Sequence, residues 1–297
     1  LITTVVIGIP AYNEASNISS LLLSLLAQDT LNYKLESIIV ASDGSTDNTI
    51  ELVQALNNRN IQMIDNNTRS GQAYVQNQII RRVKSDVLIL LNADIKIEDK
   101  NFISKLITPI IKKKSDMTSC LISPLVENTL LFNVLTIGTK VREQIAKSIN
   151  HGNNIYNCHG RVRAMSKQLY SKLVFKGSLN EDAYSYLYAK YLHLKFIYVV
   201  NTRIFYKLPS HIFEHFKQSN RFVKNRDILY AEFGANAVEQ SYSIPLSKVL
   251  TEFVTIFLHQ PVNTFIYIVI TLIGRVISLF YTQDNLWSVA KSSKKLQ

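Results

Sequence analysis

Four short stretches of this 297-residue sequence gather carboxylates and amides at points where the chain should be turning: Pro10-Ala11-Tyr12-Asn13-Glu14, Ser42-Asp43-Gly44-Ser45-Thr46-Asp47, Asn92-Ala93-Asp94 and Asn180-Glu181-Asp182. A carboxylate on a short turn at the carboxyl end of a strand is placed to hold a divalent cation, Mg2+ or Mn2+, against phosphate oxygens. Such an ion takes one or two protein carboxylates and leaves its other positions to substrate and water. The turn from Asp43 to Asp47 and the turn ending at Asp94 are the strongest pair. Each stretch alone also has a structural reading. Asp43-Gly44-Ser45 supplies ordinary turn geometry, Asn13-Glu14 would cap a helix, and Glu181 with Asp182 would sit well at the positive end of a helix.

The elements that must position these turns follow from periodicity. Thr3 to Pro10 is an apolar run of strand length, and apolar runs of this kind are buried strands. Ile18, Leu21, Leu22, Leu25 and Leu26 then fall at helical spacing, with Ser16 or Asn17 as N-cap. Leu35 to Ala41 predicts a second strand, Ile50, Val53 and Leu56 a second helix, and Ile61 to Ile64 a third strand. A helix after Gly71 and a strand from Val87 to Leu91 complete the run. Alternation of this kind predicts an α/β fold with a mostly parallel sheet covered on both faces. The turns after Pro10, Ala41 and Leu91 would then converge at the carboxyl ends of their strands, where such sheets bind ligands. From about residue 100 to 208 the pattern loosens, with a strand at Phe196 to Val200.

In order and spacing, the four stretches resemble the signature segments of family 2 glycosyltransferases, which have the nucleotide-sugar-binding GT-A fold; the resemblance runs from residue 3 to about 225. It implies that Pro10, Ala11, Tyr12, Glu14, Asp43, Gly71, Asn92 and Ala93 line a nucleotide-sugar pocket, with Asp43 pairing with the base. Asp94 matches the last residue of the D-x-D motif, the carboxylate for a divalent cation bridging the diphosphate. Asp182 matches the general base for inverting displacement by an acceptor hydroxyl. Glu181, Gln218, Arg221 and Phe222 match positions beside the diphosphate and acceptor, the last three as a variant of Q-x-x-R-W. The chain also departs from the pattern: Asn92 replaces the first Asp of D-x-D, Ser42 the first Asp of D-D-G-S, Gln72 a common Lys, and Phe222 a Trp. Cys158-His159-Gly160 falls at a glycine-containing acceptor-side loop, or is a small turn with a buried thiol. The implied reaction joins a sugar from a nucleotide-sugar donor to a glycan or lipid-linked acceptor, in cell-envelope glycan or glycolipid synthesis. The alternative is a non-catalytic nucleotide-sugar or glycan binder on the same fold.

Composition narrows the classes. There are 33 Lys and Arg against 22 Asp and Glu, a net charge of +11, which calls for an acidic partner. The basic residues are scattered and no ribonucleoprotein-type aromatic motif occurs, so no nucleic acid is expected. Two cysteines, Cys120 and Cys158, cannot form a disulfide framework and fit a reducing compartment. His211-Ile212-Phe213-Glu214-His215 matches the H-x-x-E-H of zinc peptidases, with only Glu232, Glu239 and Glu252 as generic third ligands.

The last sixty residues differ in character. Val249 to Leu258 is largely apolar, Pro261 interrupts, and Val262 to Tyr281 is apolar for about 20 residues, enough for a helix to cross ~30 Å of hydrocarbon. Trp287, Lys291, Lys294 and Lys295 follow as interfacial anchors. The expectation is a transferase domain over 1–240 and a membrane-associated helical segment over 241–297, either a single span or a shallow hairpin bent at Pro261. Membrane lipid would be a partner, with the catalytic domain on the cytoplasmic side.

Overall fold

Alternate residues of the first strand point to opposite sides of a sheet, and both sides are covered. In the computed structural model, which describes residues 2–177, 180–223, 226–280, 292–294 and 296, β1 (Thr3–Ala11) leads to α1 (Ile18–Leu26). There follow β2 (Tyr33–Ser42), α2 (Thr49–Ala55), β3 (Ile61–Ile64), α3 (Gln72–Arg82), β4 (Val87–Leu91) and α4 (Phe102–Ile111). Val5, Ile7 and Ile9 of β1 and Val87, Ile89 and Leu91 of β4 pack with α1, α2 and α4 in one core. Val6, Leu88 and Leu90 face the opposite core with Ala73, Val75 and Ile79 of α3. Near-continuous burial of β4 is what a strand covered on both faces requires.

The second half adds β5 (Met117–Pro124), α5 (Leu130–Ser148), β6 (Val162–Ser166), α6 (Lys167–Tyr170), α7 (Glu181–Tyr191) and β7 (Phe196–Tyr206). The sheet order is β3-β2-β1-β4-β6-β5-β7. Strands β1, β2, β3 and β4 pair in parallel, whereas β6 runs antiparallel between β4 and β5. The carboxyl ends of β1, β2 and β4 therefore lie side by side, as the alternation predicts. Insertion of β6 beside β4 brings the residues preceding it to the same edge, and nothing in the periodicity forecasts this. At Gly8 an added Cβ would lie 2.5 Å from Ile79 Cγ2, so α3 packs against β1 only because the side chain is missing.

After β7 come α8 (Ile212–Val223), α9 (Asp227–Phe233), α10 (Ala235–Tyr242), α11 (Leu246–His259) and α12 (Pro261–Phe280). Pro261 does separate two helices, since it cannot donate into the preceding one. The expected membrane segment is overturned: among the described residues no helix is long and apolar enough to cross a membrane. With it goes the membrane-associated location that the segment implied. The apolar excess of this region has another use. Ile256 is buried against Ile137, Val141 and Ile145 of α5, with Val249, Phe253 and Tyr267 packed beside them. At Gly138 of α5 an added Cβ would meet the Tyr267 ring. Residues on the outer faces, such as Leu258, Val262 and Phe265, remain exposed. Trp287, Lys291 and Lys295 lie outside the described residues, and Lys294 is no interfacial anchor, because it reaches the turn after β1.

Candidate active site

The turns after β1 and β2 are tied to each other at the carboxyl edge by short-range polar bonds. Asn13, in the left-handed region at φ 54°, accepts from the Thr46 amide at 2.7 Å and gives its own amide to Ser45 Oγ at 3.1 Å. Thr49 Oγ1 accepts from the Glu14 amide at 2.8 Å, and Asp47 accepts from the amides of Ala15 and Thr49, each at 3.1 Å. Asp47 is thus spent on holding the first two turns together. The Asp43 amide donates to the Ala11 carbonyl at 2.8 Å. Ser42 is fully buried and its Oγ accepts from the Ser45 amide at 3.0 Å, so a neutral side chain suits this place better than the carboxylate usual in the family pattern.

Asp43 itself is 6% exposed. Its Oδ1 accepts from the amides of Ser70 and Gly71 at 2.7 and 2.9 Å, and Arg69 lies 3.9 Å from Oδ2. Gly71 has φ +94° and Gly44 φ +70°, both in the region that favours glycine, and an added Cβ at Gly44 would meet the backbone of Thr68 and Arg69 at 2.8 Å. The two glycines let the loop before α3 close onto the turn after β2. The same loop places the Arg69 guanidinium 4.1 Å from the centre of the half-buried Tyr12 ring. Pro10 is the last but one residue of β1, and Ala11, which ends the strand, is buried.

The turn after β4 is pinned at both ends. The Asn92 amide donates to the Arg161 carbonyl at 3.0 Å, and Lys96 exchanges backbone bonds with Phe205 at 2.8 and 2.9 Å. Ala93 and Ile95 fall into the core, leaving Asn92 and Asp94 half-buried at the edge. Gln72 Nε2 donates to Asn92 Oδ1 at 3.3 Å. Glu14 is 6% exposed; burial, with the like charge of Asp94 nearby, pushes its carboxyl up to about 7, against the pull of Lys294 and Asn17. Asn17 is the N-cap residue of α1, one of the two expected, but its side chain makes no capping bond; its Nδ2 instead gives a 3.1 Å bond to Glu14 Oε2.

At the start of α7 the two acids are sorted by burial. Asn180, left-handed at φ 66°, sends Glu181 inward, 5% exposed, and leaves Asp182 half-buried at the edge. Asp182 Oδ2 accepts from the Gly160 amide at 3.2 Å and Oδ1 from the Ala183 amide at 2.8 Å. Burial pushes the Glu181 carboxyl up to about 7, with Asp182 adding to it, while Arg163 and the Ala73 amide pull the other way. Arg163, fully buried on β6, donates to the Glu181 carbonyl at 2.7 Å, Ser185 Oγ at 3.0 Å and Gln76 Oε1 at 3.2 Å. It locks α7 to α3 and the sheet.

The 158–160 loop supports the same helix. Cys158 is buried with Sγ 3.5 Å from the Asp182 carbonyl, and burial pushes its thiol up to about 12, so it is an inert packing group. His159 is held down to about 3 by burial and by Arg142 and Arg161. Neutral, it donates from Nε2 to the Cys120 carbonyl at 2.9 Å. Of the two readings of this loop the buried thiol is observed, and the Gly160 amide beside it faces Asp182.

Gln218 is half-buried on α8. Arg221 and Phe222 belong to the same helix, with side chains outside the described ones. Glu214 of the H-x-x-E-H stretch bonds Ser292, and among the described residues no three or more of His, Cys, Asp and Glu gather as a metal site. Sequence reasoning missed Arg69, Arg161, Arg163 and Lys294. The place of each depends on partners elsewhere in the chain, and no local pattern gives it a part in the site.

The geometry is matched by comparison with known proteins. The family model "Glycosyl transferase family 2" fits residues 6–174. The chain belongs to this family. Among curated relatives, the poly-beta-1,6-N-acetyl-D-glucosamine synthase of Staphylococcus aureus (strain COL) is 36% identical over 84 residues, 28% of this chain and 20% of that protein. The synthase of the same description from Staphylococcus epidermidis is 32% identical over 89 residues, 30% and 21%. The match thus spans about a fifth of each relative's length. The mannosyltransferase PcManGT from Pyrobaculum calidifontis, solved with GDP-Man and Mn2+, superposes with a TM-score of 0.63 at 16% identity, over 95% of this chain and 89% of that one. S. aureus TarS 1-349 with UDP-GlcNAc gives 0.57 at 19%, over 70% and 59%. The fold of this family 2 glycosyltransferase is therefore the GT-A fold.

Proposed function

We propose that this family 2 glycosyltransferase moves a sugar from a nucleoside-diphosphate donor to an acceptor hydroxyl with inversion, in the synthesis of an envelope glycan. The observation that carries the reading is the sorting of α7: Asp182 is at the carboxyl edge, across from the turns of β1, β2 and β4, while Glu181 is turned away. Asp182 takes the acceptor proton as the acceptor oxygen bonds to the sugar carbon; the bond from that carbon to the diphosphate oxygen breaks, and its electron pair leaves with the nucleoside diphosphate. The amides of Gly160 and Ala183 orient the carboxylate. Tyr12, the 69–71 loop held by Asp43, and Asn92 form the donor wall.

Asp94 and Glu14 are hard oxygen donors set close enough for Asp94 to raise Glu14, and this fits an open cation position completed by phosphate oxygens rather than a closed protein cage. Asp94 would hold Mg2+ or Mn2+ there, and the ion would supply charge to the departing diphosphate. The transferase unit is assigned to residues 1–240, with α11 and α12 beyond it packed on α5. UDP-GlcNAc and GDP-mannose, bound by TarS and PcManGT, are the donors to try first. The test is release of UDP or GDP in the presence of Mn2+ and candidate glycans by the parent and Asp182→Asn. Release that requires Asp182 supports transfer; donor binding with no release under any acceptor selects the non-catalytic binder.

A further inference from the structure

Lys294 is 281 positions from Asn13 in sequence and sits on its turn. Its ammonium lies 2.5 Å from Glu14 Oε1, donates to the Tyr12 carbonyl, and reaches the Asn13 carbonyl at 3.3 Å. An ammonium has three N–H donors, and these three acceptors use them all. The backbone beside it is held as well. The Lys294 carbonyl accepts from Asn17 Nδ2, and the Leu296 amide donates to Asn17 Oδ1 at 3.3 Å. A second anchor lies at Ser292, whose hydroxyl donates to Glu214 and accepts from the Ser210 amide at 2.9 Å. The ammonium is also 5.6 Å from the centre of the Tyr12 ring, which carries Arg69 as well.

We propose that the tail at Ser292–Lys294 and Leu296 is an internal occupant of the donor site, a strap that must leave Glu14 and Tyr12 before a nucleoside-diphosphate sugar can settle there. The inference rests on the reading that the turn after β1 forms part of the donor wall. The strap excludes the donor rather than helping to hold it, because the Lys294 donors are all taken by protein oxygens and none is left for a phosphate. It also answers a local need. Glu14 is a buried carboxylate with Asp94 beside it, and a buried charge is costly without a partner. The ammonium supplies one until a cation and the donor arrive. Apparent donor affinity is then the intrinsic affinity reduced by the fraction of molecules whose strap is open.

The test uses the full chain. UDP and GDP, each with Mn2+, are titrated calorimetrically into the parent, Lys294→Met and Ser292→Ala, and hydrogen exchange is followed over residues 292–296. Ser292→Ala loosens the second anchor without altering any residue of the donor wall, so it holds the test open if Lys294→Met destabilises the protein. Both variants are expected to bind the same nucleotide about three- to tenfold tighter than the parent. In the parent, saturating nucleotide should speed exchange over 292–296. Binding by the variants alone, with none by the parent, also supports the strap. Unchanged or weaker binding in both variants, or exchange that nucleotide does not alter, overturns the strap and leaves the donor reading standing. If neither nucleotide binds any of the three proteins, the donor reading fails and the strap falls with it.

Discussion

Gln72 donates to Asn92 across 3.3 Å, so two positions at which this chain departs from the family pattern face each other. At this contact an amide meets an amide, and neither side chain carries a charge.

Asn92→Asp alone should keep or strengthen nucleotide binding in Mn2+, since it adds a carboxylate beside Asp94. Adding Gln72→Lys should give a coupling of about 0.5–1 kcal/mol between the two sites, as for a partly exposed ion pair. A double-mutant cycle on thermal stability reads the coupling, and additive effects would mean that the residues do not act together.

Asp94→Ala should abolish the Mn2+ dependence of nucleoside-diphosphate binding while leaving the fold intact, because Asp94 is half-buried at the edge and its neighbours Ala93 and Ile95 do the packing. Calorimetric titration with and without Mn2+ decides; an unchanged metal dependence would move the cation to another residue.

Asp182→Asn keeps the size of the side chain and removes the basic oxygen. Turnover should fall by ~10²–10⁴-fold, the usual contribution of a positioned base, with the donor dissociation constant within about twofold of the parent value. Turnover close to the parent would pass the role to another group.

Glu181 predicts a pH effect on stability. Its carboxyl is raised to about 7 from 4.5, so between those values the folded protein holds a proton that the unfolded chain has released. Stability therefore falls as pH rises through this window, and the full cost is felt above about 7. Glu181→Gln should flatten that slope, with a gain of the order of 3 kcal/mol at pH 8 and little at pH 4. Urea midpoints at the two pH values measure it. Equal shifts at both would show that Glu181 does not titrate in this range.

Gly8→Ala should cost about 1–3 kcal/mol, because its Cβ would lie 2.5 Å from Ile79 Cγ2 and α3 would have to lift from β1. A melting midpoint at or above that of the parent would show that α3 has slack.

Much of the first third was legible in the sequence. The strands Ile61–Ile64 and Val87–Leu91 and the helix after Gly71 stand where periodicity puts them, because burial on one or both faces is written in the spacing of apolar residues. The convergence of the turns after β1, β2 and β4 followed from the parallel alternation, and Asp43, Asp94 and Asp182 were visible as carboxylates at element ends. What each carboxylate does was not visible. That Asp47 joins two turns depends on β1 and β2 lying side by side; that Glu181 points inward and Asp182 outward, and that Gly160 gives its amide to Asp182, depend on β6 running antiparallel beside β4. The apolar stretch from residue 249 reads as membrane by composition, and it became two helices on α5 only when Ile137, Val141 and Ile145 offered a complementary face. Lys294 on Glu14 is the extreme case. Local spacing records which face of an element is buried; which distant residue arrives there is set by the path of the whole chain.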